Sequence, residues 1–359
     1  MSEIKVNSIK GVGASAAAIT VNNTDGTCIA NITNNLSNRN LIINGAMQVA
    51  QRGTSSTTSG YGSVDRWQGQ HANTGVTVTH SQQTTSSSDA PYQSGFGKFL
   101  RLALSGAGTA NANAYLELQY RTESQDMLNS GWNYKSSSSF ITMSFWFRCS
   151  TNQTFLAQVF NHDSTRGYVF SFTASGNNTW TKITKTIPGN SNLVFNDDNG
   201  IGLRINITPF YGTDFTNNLT LDQWSTITSS NQFPDMASTW LTAGASTFDI
   251  TGVQLEVGSV ATDFEHRSFG QELALCQRYY TSGDDKVGTT SYPSSDGYAR
   301  GWYSFKVNMR ATPTMTFSDG GSGGSKIADG ISDKGFFVTY GSLSASQAGT
   351  YDWTATAEL

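Results

Sequence analysis

The chain has 359 residues, enough to bury a substantial core, and a formal net charge of −4 at pH 7. Charged residues make up 13% of it and aromatic residues 12%, with no basic stripe, so it is neither a disordered polar chain nor a nucleic-acid-binding protein. Ser, Thr, Asn and Gly dominate its polar positions and favour strands and tight turns over helices, so the composition predicts an all-β protein.

The cysteines limit the chemistry that the chain could use. Cys28, Cys149 and Cys276 are odd in number and far apart, so they do not make a disulfide framework, and no CxxC spacing offers a metal site. We expect free thiols in a protein made in a reducing cytosol. No apolar run approaches the roughly 18 residues that a membrane span needs, so we expect no membrane insertion.

The first predicted unit is an N-terminal arm over residues 1–40. Its short apolar pieces at 19–21 and 28–30 can form strands, but they cannot close a core by themselves. Exposed strands of this kind must be covered or must pair with another chain. A flexible leader is one interpretation. We favour the other, an arm ordered by oligomerisation or by docking onto a larger assembly.

The second predicted unit, residues 41–267, is a series of short strands separated by Gly, Ser, Asn and Pro. The alternation of apolar and polar side chains predicts strands at 76–80, 98–104, 113–121, 140–149, 154–160, 168–173, 180–187, 203–208 and 247–257. About nine strands over roughly 200 residues fit a two-sheet, jelly-roll-like β-sandwich. In the strand at 113–121, Glu117, Gln119 and Arg121 share the polar face.

The strand at 247–257 changes parity along its length. Its apolar residues stand at even positions up to Ile250 and at odd positions from Val253 onward. One residue is therefore inserted near Gly252, and a β-bulge at that glycine would restore the apolar face.

A linking helix is predicted over residues 268–281. Ser268 and Gln271 make a capping box, and four residues fall on one apolar face: Phe269, Leu273, Cys276 and Tyr280. A small distal β domain over 282–359 follows. It has few strands for its size, so we expect symmetry mates to complete its core.

A search for catalytic groups finds no constellation. The four histidines are isolated, and the sequence has no GxSxG elbow and no P-loop. Paired carboxylates for polysaccharide cleavage are the enzymatic alternative, with Glu117 and Asp163 among the candidates, although solvated surface carboxylates explain the same residues. We therefore expect a protein that is not an enzyme.

Carbohydrate binding needs less apparatus, because a sugar stacks on an exposed aromatic ring while amides and carboxylates bind its hydroxyls. Four aromatic residues beside amide-rich or Ser-rich segments are candidate glycan contacts: Trp132, Tyr134, Trp146 and Trp180. Packing in the core or between subunits is the alternative for each of them, and a cluster of two or three would decide for binding.

Segments at both edges of the sandwich carry a more specific signature. Residues 40–54 (NLIINGAMQVAQRGT) and Asp65-Arg66-Trp67 lie at its start, and residues 248–258 (FDITGVQLEVG), 261–268 and 272–280 lie at its end. Together they resemble a sandwich module that is common in tail-fibre and other appendage proteins of bacteriophages, notably those of marine bacteria and cyanobacteria. The leader at residues 2–9 (SEIKVNSI) is similar to the leader of such proteins.

The resemblance implies a virion appendage, usually a homotrimer, assembled in the cytoplasm of a bacterial host. Residues 1–40 would bind other virion proteins, and the distal part would meet a host-surface polysaccharide or receptor. Attachment to the tail and attachment to the head, as a capsid-bound appendage or decoration protein, both stay open.

The module is also similar to carbohydrate-binding jelly rolls, whose last strand carries an acidic residue near a structural calcium ion. Asp249 is the corresponding position, and no other cofactor is implied. The familiar pair of acidic residues is reduced here to Asp249-Ile250. Motif residues such as Arg52, Asp65, Arg66 and Glu265 are interpreted as fold-specifying ion pairs.

Overall fold

The computed structural model describes residues 8–9, 19–21, 28–30, 38–283, 299–319, 326–340 and 351–359. In these residues strands far outnumber helices and form antiparallel sheets, which confirms the predicted all-β class. No helix in these ranges is long and apolar enough to cross a membrane.

The described residues of the N-terminal arm include three short strands, which form an antiparallel sheet in the order β1-β2-β3. They are β1 (Ser8–Ile9), β2 (Ile19–Val21) and β3 (Cys28–Ala30). The two strands predicted in the arm are therefore confirmed, while its docking role stays a prediction.

Between residues 38 and 283 the chain builds a two-sheet sandwich. Its strands are β4 (Ser55–Ser56), β5 (Gly60–Tyr61), β6 (Trp67–Ala72), β7 (Val78–Thr84), β8 (Lys98–Leu104), β9 (Tyr115–Glu123), β10 (Phe140–Cys149), β11 (Phe155–Asn161), β12 (Arg166–Phe172), β13 (Thr181–Pro188), β14 (Ile201–Tyr211), β15 (Trp224–Thr226) and β16 (Thr247–Val257). One sheet has the order β13-β10-β16-β8-β7-β4, and the other has the order β15-β12-β11-β14-β9-β6-β5. The chain crosses repeatedly between these six-stranded and seven-stranded sheets, as in a jelly roll.

The inner faces of the two sheets share one hydrophobic core. Phe147 lies at its centre, with its ring centroid 5.3 Å from that of Phe155, 5.0 Å from Phe172 and 4.8 Å from Phe248. These rings come from both sheets, so edge-to-face aromatic packing joins the two layers.

The bulge predicted in β16 is confirmed. Ser144 of β10 pairs with Gln254, and Trp146, two residues on, pairs with Thr251, so β16 carries one extra residue between these pairs. Gly252 at this point has a φ of 60°, in the left-handed region that glycine tolerates best.

Four short helices accompany the strands: α1 (Ala90–Gln93), α2 (Ser124–Leu128), α3 (Thr239–Thr242) and α4 (Phe269–Gln277). The capping box of Ser268 and Gln271 at the start of α4 is confirmed. The predicted extent to residue 281 is wrong, because Tyr280 already begins the next strand. The predicted apolar face is wrong at Phe269, which is 55% exposed. Glu272 is buried instead, since its carboxylate accepts the backbone N–H of Asn44.

The C-terminal strands are β17 (Tyr280–Gly283), β18 (Ala299–Ser304), β19 (Thr314–Asp319), β20 (Lys326–Ser332), β21 (Gly335–Tyr340) and β22 (Tyr351–Thr356). They form two three-stranded sheets in the orders β17-β22-β19 and β18-β21-β20. Phe305, Phe336 and Trp353 meet in a separate small core. Its completion by symmetry mates stays a prediction.

The C-terminal unit is fastened to the sandwich by its last residues. The Ala357 N–H donates to the Tyr279 carbonyl at 2.8 Å, and the Arg310 N–H donates to the Arg278 carbonyl at 2.8 Å. Glu358 pairs with Arg52 at 3.1 Å and also with the buried Arg66.

The first and last segments of the sandwich lie side by side. The Leu41 N–H donates to the Leu255 carbonyl at 2.8 Å, and the Val253 N–H donates to the Gly45 carbonyl at 3.0 Å. The Glu265 carboxylate accepts the backbone N–H of Asn40 at 2.7 Å and lies 3.4 Å from an Arg267 nitrogen. The Glu265 carboxylate therefore joins the two edges through its hydrogen bond from Asn40, while its ion pair with Arg267 lies within the second edge.

Candidate functional site

The outer face of the seven-stranded sheet carries a row of four amide side chains. Gln158 of β11 is in register with Asn206 of β14, Asn206 with Gln119 of β9, and Gln119 with Gln68 of β6. Directly opposed residues on neighbouring strands point to the same side of a sheet. The alternate positions of these strands enter the core, so this amide row lies on the opposite side of the sheet, where its four side chains are at most 3% exposed.

Part of the amide row has no partner. Both side-chain atoms of Asn206, Oδ1 and Nδ2, are buried without a hydrogen bond to any described residue, and so are Gln158 Oε1 and Thr208 Oγ1. The same holds for Nε of the neighbouring Arg204. An unpaired buried polar atom costs about 1–3 kcal/mol, so these atoms call for water or for the polar groups of a ligand.

The other end of the row is held by hydrogen bonds. Arg121 Nε donates to Gln119 Oε1 at 2.7 Å, and Gln119 Nε2 donates to Glu117 Oε1 at 2.7 Å. The Tyr211 hydroxyl donates to Glu117 Oε2 at 3.0 Å. This chain of bonds fixes the orientation of Gln119 and Glu117, which is the kind of preorganisation that a polar binding face needs.

Burial dominates the electrostatics of this face. It raises the pKa of Glu117, while Arg204 and the hydrogen bonds from Tyr211 and Gln119 offset part of the effect. Burial and the adjacent Glu117 carboxylate raise the pKa of Tyr211 well above its usual value, so Tyr211 stays a hydroxyl donor at neutral pH.

Aromatic side chains flank the amide row. The rings of Tyr115 and Tyr211 lie 5.6 Å apart, and the Arg204 guanidinium lies 4.6 Å from the ring centroid of Phe160. Tyr115, Arg121 and Arg204 are half-buried and reach the solvent at this face.

Two segments bound the face. Residues 212–236 cover the β11–β12 side, where Leu219, Ile227 and Phe233 pack on the sheet and Gln158 Nε2 donates to the Gln232 carbonyl at 2.7 Å. On the other side the carbonyl of Leu359 accepts hydrogen bonds from Arg121 and from the Tyr61 hydroxyl. The amide row thus runs between two walls.

The structure places the predicted glycan contacts away from the amide row. Trp132 is 3% exposed within the sandwich core, and its ring lies 6.3 Å from that of Tyr134, which packs on Phe195. Trp146 and Trp180 lie on the outer side of the six-stranded sheet, where Trp180 stacks on the Arg148 guanidinium at 4.5 Å. Their role in glycan binding stays a prediction.

The environment of Asp249 does not fit a calcium ion. Arg101 donates to its two carboxylate oxygens at 2.7 and 2.8 Å, and Arg148 donates to Oδ2 at 3.0 and 2.8 Å. Two guanidinium groups therefore neutralise the carboxylate that the ion would use. In the ranges that the structure describes, no group of three or more His, Cys, Asp or Glu side chains could hold a metal.

The alternation in the sequence identifies the polar side of β9 but assigns it no binding role. Gln68, Gln158 and Asn206 were missed because their common face depends on the pairing of four strands. The sequence pattern that could have revealed this face is the alternation of Asn206 and Thr208 with core residues in β14.

No protein-family model and no curated protein sequence matches the chain. One similar solved structure is the enzymatically active domain of tailspike protein 4 from bacteriophage CBA120, with 12% identity, a TM-score of 0.32 and coverage of 61% of this chain but only 21% of that chain. Another is a family 11 carbohydrate-binding module from Clostridium thermocellum in complex with a mixed-linked tetrasaccharide. It has 10% identity, a TM-score of 0.27 and coverage of 59% of this chain and 98% of that chain. At these values the similarity carries no argument about function.

Proposed function

We propose that this chain is a structural appendage protein of a phage particle that binds a host-surface glycan along the amide row, without cleaving it. The observation that carries the binding proposal is the set of buried, unpartnered atoms at Asn206, Gln158 and Thr208. Because each sugar hydroxyl both donates and accepts hydrogen bonds, a glycan supplies what both atoms of the Asn206 amide lack.

The shape and chemistry of the face support an extended ligand. Four strands at a spacing of about 4.8 Å give the amide row a length of about 14 Å, which suits a short oligosaccharide better than a single sugar. The half-buried ring of Tyr115, which packs on the buried Tyr211, offers an aromatic edge beside the row.

The appendage part of the proposal is supported by sequence. The leader at residues 2–9 and the two edge segments of the sandwich resemble those of phage appendage proteins. The chain would act as a homotrimer anchored by residues 1–40, and a stable monomer in light scattering would contradict this. A chain lacking residues 1–40 would distinguish attachment to the head from attachment to the tail, because it should fail to be incorporated at whichever of the two sites the arm binds.

Calorimetric titration with polysaccharide from a sensitive host tests the binding face. We expect Asn206→Leu to weaken binding by at least about tenfold, because the site loses a donor and an acceptor together. Asn192→Leu is the matched control, since Asn192 is exposed and lies outside the amide row. Equal binding by the wild type and Asn206→Leu would overturn the proposal.

A depolymerase is the second candidate, because the buried Glu117 carboxyl with its raised pKa lies beside the amide row. The other candidate acid, Asp163, instead accepts hydrogen bonds from Ser124 and Asn196. We expect no release of reducing ends by the wild type. Release that Glu117→Gln abolishes would establish cleavage.

A further inference from the structure

A cavity of about 260 Å³ lies on the outer side of the six-stranded sheet, the side of the sandwich opposite to the amide row. Trp146 of β10 and Lys182 of β13, which are paired in register, line one part of it. Phe96, Phe264 and His266 from two loops line the rest.

The bulge in β16 shapes this cavity. Gly252 lines it, and a Cβ atom at this position would lie 2.7 Å from Cζ of Phe96. Only glycine therefore lets the Phe96 ring come so close to the strand, where it forms a wall of the cavity.

Three rings make up an apolar wall. The ring centroids of Phe96 and Phe264 lie 4.8 Å apart, and the His266 ring lies 5.1 Å from Phe96 and 5.0 Å from Phe264. His266 Nε2 donates to the Ser94 carbonyl at 3.1 Å, which holds the imidazole in the wall.

Polar groups face the same space. Ser144, Trp146 and Lys182 line the cavity, and their side chains make no hydrogen bond or ion pair within the described part of the chain. Ser144 is only 3% exposed, so its hydroxyl depends on what enters the cavity. Asp263 and Lys182 both line the cavity, so the lining carries both signs of charge.

We propose that this cavity binds one sugar residue that carries an N-acetyl group. The acetyl methyl group packs on Phe96 and Phe264, and its carbonyl oxygen accepts from the Ser144 hydroxyl, while the Trp146 ring packs on the sugar. A hexose without this group offers the wall only its C–H face and gives the Ser144 hydroxyl no acetyl carbonyl to bind. An anionic group meets the Asp263 carboxylate as well as Lys182, so the lining gives a negative charge no advantage.

Ligand-observed NMR titration of the full chain with N-acetylglucosamine and with glucose tests the proposal. We expect N-acetylglucosamine to bind at least about tenfold more tightly than glucose. Equal binding of the two sugars, or no binding of either, would overturn it. Because the cavity and the amide row lie on different sheets, the Asn206→Leu variant keeps this binding.

Two variants locate the site. Trp146→Ala should weaken binding of N-acetylglucosamine by about tenfold, and Ser144→Ala, which removes one buried hydroxyl from the lining, by about fivefold. Trp302→Ala removes an exposed tryptophan of the C-terminal unit and serves as the control. If Trp146→Ala lowers the melting temperature, Ser144→Ala decides, and unchanged binding in that variant contradicts the assignment.

Discussion

The guanidinium group of Arg66 donates a hydrogen bond to the carboxylate of Glu358, and both side chains are buried although 292 residues separate them in sequence. The same guanidinium lies 3.4 Å from the ring centroid of Tyr279. An aromatic face and a carboxylate thus share one buried cation, and this contact fastens the C-terminal unit to the sandwich.

Glu358→Gln should lower the free energy of unfolding by about 3 kcal/mol, because it leaves the Arg66 charge buried without its counter-ion. Urea unfolding followed by tryptophan fluorescence measures the change. Asp352→Asn, at an exposed carboxylate of the same unit, should change stability by less than about 0.5 kcal/mol. Replacing both partners by apolar residues (Arg66→Met with Glu358→Leu) should recover part of the lost stability. A double variant with a lower free energy of unfolding than Glu358→Gln would contradict this explanation.

Gly252→Ala should destabilise the sandwich by about 2 kcal/mol. The left-handed conformation at a φ of 60° disfavours a Cβ atom, and that atom would also meet the Phe96 ring. Gly97→Ala is the matched control, since a Cβ there has no neighbour within 4 Å. Thermal unfolding compares the two variants, and equal melting temperatures would show that the bulge does not require glycine.

Acidification should destabilise the sandwich through two histidines. Burial lowers the pKa of His80, and burial together with His80 lowers the pKa of His71. The unfolded chain therefore takes up these protons at a higher pH than the folded chain. The stability is present above the ordinary histidine pKa of about 6.5 and is lost as the pH falls through the lowered values.

The measurement is the free energy of unfolding between about pH 7.5 and pH 5.5. His80 Nε2 donates to the Thr58 carbonyl at 2.9 Å, so Nδ1 accepts from the Ser63 hydroxyl at 2.8 Å, and a second ring proton would force the Ser63 hydroxyl to reverse its role from donor to acceptor. The double variant His71→Gln/His80→Gln should show a smaller slope with pH than the wild type. An unchanged slope would assign the dependence to other groups.

Asn206→Leu should raise the free energy of unfolding by about 1 kcal/mol, because it removes two buried polar atoms that have no partner. Gln119→Leu should lower it, since Glu117 and Arg121 would each lose a hydrogen bond. Chemical unfolding of the two variants gives the comparison. A greater loss for Asn206→Leu than for Gln119→Leu would mean that the Asn206 amide stabilises the free protein.

Strands were predictable where one side is wholly apolar. The limits of β8, β10 and β16 agree with the prediction, because their alternation or apolar run continues to both ends. Strand β6 was missed because Trp67 is its one large apolar residue on the inner side. Gly69 occupies the next inner position, where a Cβ atom would lie 2.5 Å from the His80 ring. Because this inner position holds a glycine that makes room for the His80 ring, β6 lacks the apolar alternation by which a strand is recognised in sequence.

The candidate site was less predictable than the fold, since it depends on register. Gln68 and Gln158 are brought into one row only by the pairing of four strands. Trp132 is 3% exposed and packs in the core, which was the alternative to glycan contact that the sequence left open for it. The Gly252 bulge was visible from parity alone, but the cavity above it also needs two loops that are distant in sequence.

The hydrogen bonds that join Leu41 to Leu255 and Gly45 to Val253 place the entry and the exit of the sandwich at the same end. A module with adjacent ends can be inserted between two other segments without changing the path of either. Recombination between genes could therefore move the sandwich as a cassette, and the edge segments that share these bonds would have to travel with it. Under the proposed function, such an exchange would alter the glycan that is bound while the N-terminal anchor is preserved.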